Sequence, residues 1–283
     1  MKPLRSLLCL ACLTLCVACV NRPANSLPQQ FTYHADVTDA FDTARLALID
    51  SAFTRYVDNG LMPNAVVMII HRGRVVHHKA YGWRDREAGI ACDTSDIFRI
   101  ASQTKAIAVV AFMTLVEEGR VQIDEPVSRY LPEFAEPRVL TSYDSTSGHY
   151  TTRPATREIT IRHLLTHTSG LCYKGIYGNI ASSLGIAPLN SLDSLTLAQN
   201  VSRMGSMPLA HDPGDQFTYS MNIDVLGRLC EVISQQPIDS FISERVLHPL
   251  GMNDTHFYLP DTCTHRLVTL YNYPEGGPLQ RST

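Results

Sequence analysis

Residues 106–118 read AIAVVAFMTLVEE, apolar almost all round a helix. A helix of that composition has almost no face to give to water, so it predicts a core helix with other elements packed around it. The same chain must supply that surround. Its 283 residues, 45% hydrophobic and 18% charged, are enough for a sizeable core. Those figures exclude a mainly disordered chain, a collagen-like repeat and a coiled coil. A net charge of −3 with no basic stripe argues against a nucleic-acid partner.

Around this helix the pattern is mixed. In 42–60, Leu46, Ile49, Phe53 and Val57 recur at helical spacing, with Asp42 as a cap and Gly60 as a stop. AVVMIIH (65–71) and RVVHHKAYGW (74–83) flank Arg72-Gly73 as a hairpin would. The run 66–70 is continuously apolar, which predicts a strand covered on both faces. Residues 120–157 read as loop, with 145–156 an exposed excursion. TIRHLLTHTSGL (160–171) predicts a short helix capped by Thr160. Further helices are expected over 195–204, 221–235 and 238–247, the last closed by Pro249 and Gly251. No internal repeat is visible.

The first segment reads as an address. Residues 1–19 are MKPLRSLLCLACLTLCVAC, with Lys2 and Arg5 ahead of an apolar run over 7–17. That run is too short to span a bilayer and suits a secretory signal. Ala18 before Cys19 resembles a bacterial lipoprotein cleavage site, although Cys16 stands where such sites usually carry Leu. The expectation is a signal peptide over 1–18, lipidation at Cys19, a polar, Pro-containing tether over 19–40 and a folded domain over 41–283. The protein would then be exported to the periplasm or cell envelope, touching the membrane by its lipid anchor only. Cys92, Cys172, Cys230 and Cys263 remain in the domain; their spacing forms no CxxC site and leaves a disulfide pairing open.

Three features carry chemistry. Ser102-Gln103-Thr104-Lys105 opens the apolar helix, and positions i and i+3 share a helix face, so Lys105 would sit beside Ser102. A serine hydroxyl needs a neighbour to take its proton before it attacks, and a helix N-terminus favours developing negative charge. Alone, Ser-x-x-Lys is no more specific than a capping serine and a solvated lysine. Tyr219 precedes the helix pattern IDVLGRLCEVIS, where a phenol can relay a proton or simply pack on the core. His163 and His167 are spaced i, i+4 as zinc ligands can be, but no glutamate stands beside His163, and two histidines bracing a turn is the preferred reading. His71, His77 and His78 form no ready metal pair, because His77 and His78 point to opposite faces of a strand.

The order of these features is more specific than any one of them. Residues 98–134 (FRIASQTKAIAVVAFMTLVEEGRVQIDEPVSRYLPEF), 159–171, 213–234 and 248–257 resemble the serine β-lactamase and penicillin-recognising superfamily, closest to its class C-like, esterase-like branch. The similarity runs from about Asp50 to about Thr269. It implies an α+β fold of the β-lactamase/transpeptidase type: an antiparallel sheet lobe with flanking helices that carries the 65–83 hairpin, packed on a helical lobe over roughly 105–260. The cleft between the lobes would hold Ser102, Lys105 and Tyr219. Ser102 would be the acylated nucleophile, with its own N–H as half of an oxyanion hole. Lys105 would help deprotonate it, and Tyr219 would act as general base and then acid. No metal and no cofactor are required. The substrate would be a small molecule or peptide carrying an ester or amide.

Two departures qualify the resemblance. The family's tyrosine motif often reads Tyr-x-Asn, but here Met221 takes the second place and Asn222, the candidate substrate-binding amide, follows it. That tilts the expected activity toward an esterase or D-amino-acid peptidase over a β-lactamase. No Lys-Thr-Gly, His-x-Gly or Trp-Gly-Gly type motif follows Tyr219, and the only tryptophan is Trp83. The sheet is therefore expected to be incomplete at the C-terminus, with an unpaired edge on the hairpin. One oxyanion donor would be missing, which costs about 10²–10³ in rate in other serine hydrolases. The alternative is a truncated, non-catalytic member that binds cell-wall fragments or a protein partner.

Overall fold

In the computed structural model, Asp42 caps the first helix through Oδ1, which accepts from the N–H groups of Ala44 (2.9 Å) and Arg45 (3.4 Å). The structure describes residues 32–33, 41–187, 195–274 and 277–282. They fall into two units: one holds the residues up to Phe98 and from Leu259 onward, the other is Arg99–Tyr258. The signal segment 1–18, Cys19 and all of the tether but Thr32 and Tyr33 lie outside the described residues. No helix among the described residues is long and apolar enough to cross a membrane.

The first unit is built on a sheet. Its elements are β1 (Thr32–Tyr33), α1 (Thr43–Asp58), β2 (Asn64–His71), β3 (Arg74–Asp85) and β4 (Ile90–Ala91). The turn between β2 and β3 uses Arg72 and Gly73, both at positive φ (47° and 76°), the twist that suits a two-residue hairpin. The strand order is β1-β3-β2, with β4 also on β3; β1 runs parallel to β3 and the other pairs are antiparallel. Helix α1 is held on β3 by Phe53 stacked on Tyr81 (5.3 Å) and by Asp50, which accepts from Tyr81 Oη and Lys79 Nζ, each at 2.5 Å. The continuous apolar run of β2 is not covered on both faces: Met68 and Ile70 are 44% and 40% exposed. Among the described strands β2 pairs only with β3, so alternate side chains on this edge meet solvent. Near the end of the chain, β7 (Tyr271–Asn272) and β8 (Gln280–Arg281) form a short antiparallel pair.

The second unit is mainly helical: α2 (Thr104–Glu117), α3 (Ile161–Leu165), α4 (Ile176–Ser183), α5 (Leu197–Met204), α6 (Asn222–Ser234) and α7 (Ile238–Ile242), the last continuing into a wider turn over Ser243–Leu247. Its core joins Ala111, Phe112 and Leu115 of α2 to Val225, Leu226, Leu229 and Cys230 of α6, all at 0% exposure. The apolar run of α2 is not buried all round, since Val110 (54%) and Met113 (40%) lie on an exposed face. Residues 145–156 are exposed but not wholly irregular. Most of β6 (Tyr150–Pro154) is exposed, and it pairs with β5 (Arg138–Tyr143) because Thr and Arg side chains tolerate a wet sheet face. That hairpin is tied down by the Arg153 guanidinium on Asp212, at 3.1 and 2.6 Å. The four domain cysteines are all free thiols, with Cys172 and Cys230 buried in this unit. The sheets and helices of the described residues are those of an α+β fold.

Candidate active site

Ser102 sits on a tight turn, Ala101–Gln103, that leads directly into α2. Ala101 has φ 44°, a left-handed conformation that disfavours any residue with a Cβ and that recurs at functional sites. The result is an exposed hydroxyl at the positive end of a helix. One turn further, Lys105 points its ammonium back, and Nζ donates to Ser102 Oγ at 3.2 Å.

Tyr219 arrives from the far side of the sequence. Its loop is stitched to the α3 turn by Gly214 N–H donating to Thr168 O and Thr218 N–H donating to His167 O, both 2.7 Å. Gly170 is essential to that close approach: φ is +88°, and a Cβ would lie 2.4 Å from His211 O. Tyr219 Oη then donates to Ser102 Oγ at 2.8 Å, and Lys105 Nζ lies 5.1 Å from the centre of its ring. Hydrogen bonding to Lys105, then to Ser102, lowers the phenol pKa below its usual value. Ser102, Lys105 and Tyr219 thus meet within the Arg99–Tyr258 unit.

Asn222 is placed differently. It is fully buried at the start of α6; its Oδ1 accepts from Ser169 Oγ and its Nδ2 donates to His167 Nδ1 at 2.9 Å. Both of its amide atoms are thus engaged inside the fold. Met221, expected to stand where the amide would be, is itself buried.

The two histidines of the α3 region separate in role. His163 Nδ1 accepts from Thr160 N–H (3.1 Å) while Thr160 Oγ1 accepts from His163 N–H (3.4 Å), a reciprocal cap. His167 instead lies flat against Tyr219, with ring centres 4.8 Å apart and planes 26° apart. Its edge also meets Phe217, which is 69% exposed. The i, i+4 spacing from His163 says nothing of this role, because Tyr219 is 52 positions away and reaches His167 only through tertiary contacts. Asp224, on the first turn of α6, was likewise unmarked. Burial pushes its carboxyl above the usual range, against the pull of Lys105. Among the described residues, no three His, Cys, Asp or Glu side chains gather as metal ligands do.

Comparison with known proteins gives a consistent picture. The model of the Beta-lactamase family matches residues 49–282. An uncharacterized protein of Mycobacterium tuberculosis is 39% identical over 225 residues, 79% of this chain and 54% of its own. Esterase EstB of Burkholderia gladioli is 35% identical over 221 residues, 77% of this chain and 53% of EstB. Among solved structures, EstCE1, a hydrolase with promiscuous acyltransferase activity, matches with a TM-score of 0.72 at 31% identity, over 86% of this chain and 61% of its own. The chain spans about half the length of the curated relatives it matches.

Proposed function

The chain belongs to the Beta-lactamase family, and on that premise we propose that it is a serine acyl-transfer enzyme, hydrolysing an ester or amide through an acyl-enzyme on Ser102. The observation that carries this reading is the convergence of Lys105 Nζ (3.2 Å) and Tyr219 Oη (2.8 Å) on Ser102 Oγ. At rest the phenol donates to the serine. Loss of the phenolic proton, favoured by the adjacent Lys105 ammonium, turns Tyr219 into the base. The phenolate takes the Ser102 proton as Oγ bonds to the substrate carbonyl carbon. The carbonyl oxygen gains its negative charge at the N-terminal end of α2, where the helix dipole opposes it. Collapse of this tetrahedral adduct expels the leaving group, to which Tyr219 returns the proton. Water, or an acceptor alcohol in an acyl-transfer reaction, then attacks the acyl-enzyme with Tyr219 again as base, and Ser102 regains its hydrogen.

Esters are favoured over β-lactams as substrates. Asn222 spends its amide on Ser169 and His167, so a polar contact useful for holding a substrate amide is absent. The similarity to EstB, an esterase, and to EstCE1, a hydrolase with promiscuous acyltransferase activity, supports the same choice. Intact mass of the purified protein after exposure to a fluorophosphonate probe tests the reading, with Ser102→Ala alongside. A single adduct on the unsubstituted protein alone is expected. No adduct on folded protein would overturn the assignment and favour a binding role.

The enzyme is further proposed to work outside the cytoplasm, anchored through Cys19. Lys2, Arg5, the apolar run and Ala18-Cys19 support this. Expression with a labelled fatty acid should mark the protein, and Cys19→Ser should abolish the label. Retention of the label in that variant would refute the anchor.

A further inference from the structure

Among the described residues, the groups that hold Tyr219 Oη are ones that take part in the proposed turnover. Its hydrogen-bond partner is the nucleophile Ser102, with Lys105 beside it, and the Ser102 oxygen leaves to bond with the acyl group in each cycle. The orientation of the ring must therefore come from somewhere else. His167 covers one face of that ring in near-parallel contact, centres 4.8 Å apart. The histidine is itself fixed on several sides. Nδ1 accepts from Asn222 Nδ2 at 2.9 Å and from Ser220 N–H at 3.4 Å; its carbonyl accepts from Thr218 N–H at 2.7 Å; its own N–H donates to Leu164 O at 3.2 Å. Asn222 is pinned in turn by Ser169 Oγ, inside the core. His167 holds φ at 53°, a left-handed backbone conformation that disfavours a residue with a Cβ. Such strain persists only where the surroundings over-determine it, and here it presents the ring to Tyr219.

Resting on the acyl-enzyme reading above, we propose that His167 is a positioning residue for Tyr219: the Ser169–Asn222–His167 chain carries the rigidity of the core to the tyrosine ring and keeps its hydroxyl aimed at Ser102 throughout the cycle. Burial and the nearby Lys105 charge hold the His167 ring below its usual pKa. Nδ1 accepts from the Ser220 N–H, which places the ring proton on Nε2. The charged and titratable groups around Tyr219 are then Lys105 and Asp224, with Ser102 on its hydroxyl and His167 on its face.

The test is the rate constant for fluorophosphonate acylation of Ser102, read separately from the fraction of protein that becomes labelled. His167→Asn removes the ring while suiting the left-handed backbone. It should lower the acylation rate constant and kcat by about 10- to 100-fold, with KM little changed. His167→Phe restores a ring and should recover most of that loss. A purely structural histidine would lower the labelled fraction or the melting temperature and leave the rate constant of the labelled molecules intact; that result overturns the proposal. Should His167→Asn not fold, His167→Gln, which keeps an acceptor for Asn222 but no ring, carries the same expectation, and acylation at the unsubstituted rate refutes it. If the unsubstituted protein itself fails to label at Ser102, the acyl-enzyme reading has failed. Normal labelling that is indifferent to position 167 sinks the positioning role alone.

Discussion

Tyr219 and Ser102 stand 117 positions apart in the chain, and their hydroxyl oxygens lie 2.8 Å apart in the fold. That distance is a hydrogen bond, and in the proposed mechanism it is the path by which a proton leaves the nucleophile. Removing either end should be severe. Ser102→Ala should abolish turnover of a small p-nitrophenyl ester, and Tyr219→Phe should lower kcat by about 10²–10⁴. Activity retained by Ser102→Ala would sink the assignment.

The pH profile should carry the mark of Lys105. A phenolate base is present above its pKa and lost below it, so kcat/KM should rise with pH. Because hydrogen bonding to Lys105 and Ser102 lowers the phenol, the rise should come below the ordinary tyrosine value of about 10. Lys105→Met should move the limb upward and lower the plateau. A limb that stays in place would mean that Tyr219 is not the titrating base.

Asn222→Leu separates a brace from a substrate contact. The leucine would leave Ser169 Oγ and His167 Nδ1 without their buried partner, costing about 1–3 kcal/mol in urea unfolding. KM should stay within about twofold of the unsubstituted value, while kcat falls with the loosened histidine. A raised KM at unchanged stability would mark Asn222 as a substrate contact.

Acid should loosen the second unit through Asp212. The Arg153 guanidinium, then the Thr156 N–H, hold its carboxyl well below the usual range. A depressed carboxylate contributes stability that is present above its unfolded pKa of about 3.9 and lost as pH falls toward the folded value. Unfolding midpoints followed below about pH 4 should therefore drop more steeply in the unsubstituted protein than in Asp212→Asn. Parallel curves would show that the pair is inert.

Two glycines with the same backbone angle should respond differently to one methyl group. Gly73 and Gly82 both have φ +76°, but a Cβ at Gly73 meets nothing within 4 Å, whereas at Gly82 it would lie 2.2 Å from Pro63 O. Gly73→Ala should cost roughly 1–2 kcal/mol, the price of the angle alone. Gly82→Ala should cost clearly more, since the chain must also shift. Equal unfolding midpoints would contradict this packing.

The local elements were largely legible in the residues. Asp42 and Thr160 cap helices where they were expected to, and Arg72-Gly73 makes the hairpin turn, because caps and tight turns depend on neighbours a few positions away. Ser102 and Lys105 share a face for the same reason: helix geometry fixes what i and i+3 do. Burial was less legible. The apolar runs of β2 and α2 promised cover on all sides, yet Met68, Ile70, Val110 and Met113 are exposed. Hydrophobicity records what a side chain would prefer, while cover depends on which elements lie alongside it. The role of each polar group in the site was decided later still. Asn222 turned inward to His167, and His167 lay down on Tyr219, through contacts spanning 55 and 52 positions. Spacing rules reach about one helical turn, so the chemistry at Ser102 could be proposed from the residues, but the aim of its base exists only once the loop before α6 closes onto the turn after α3.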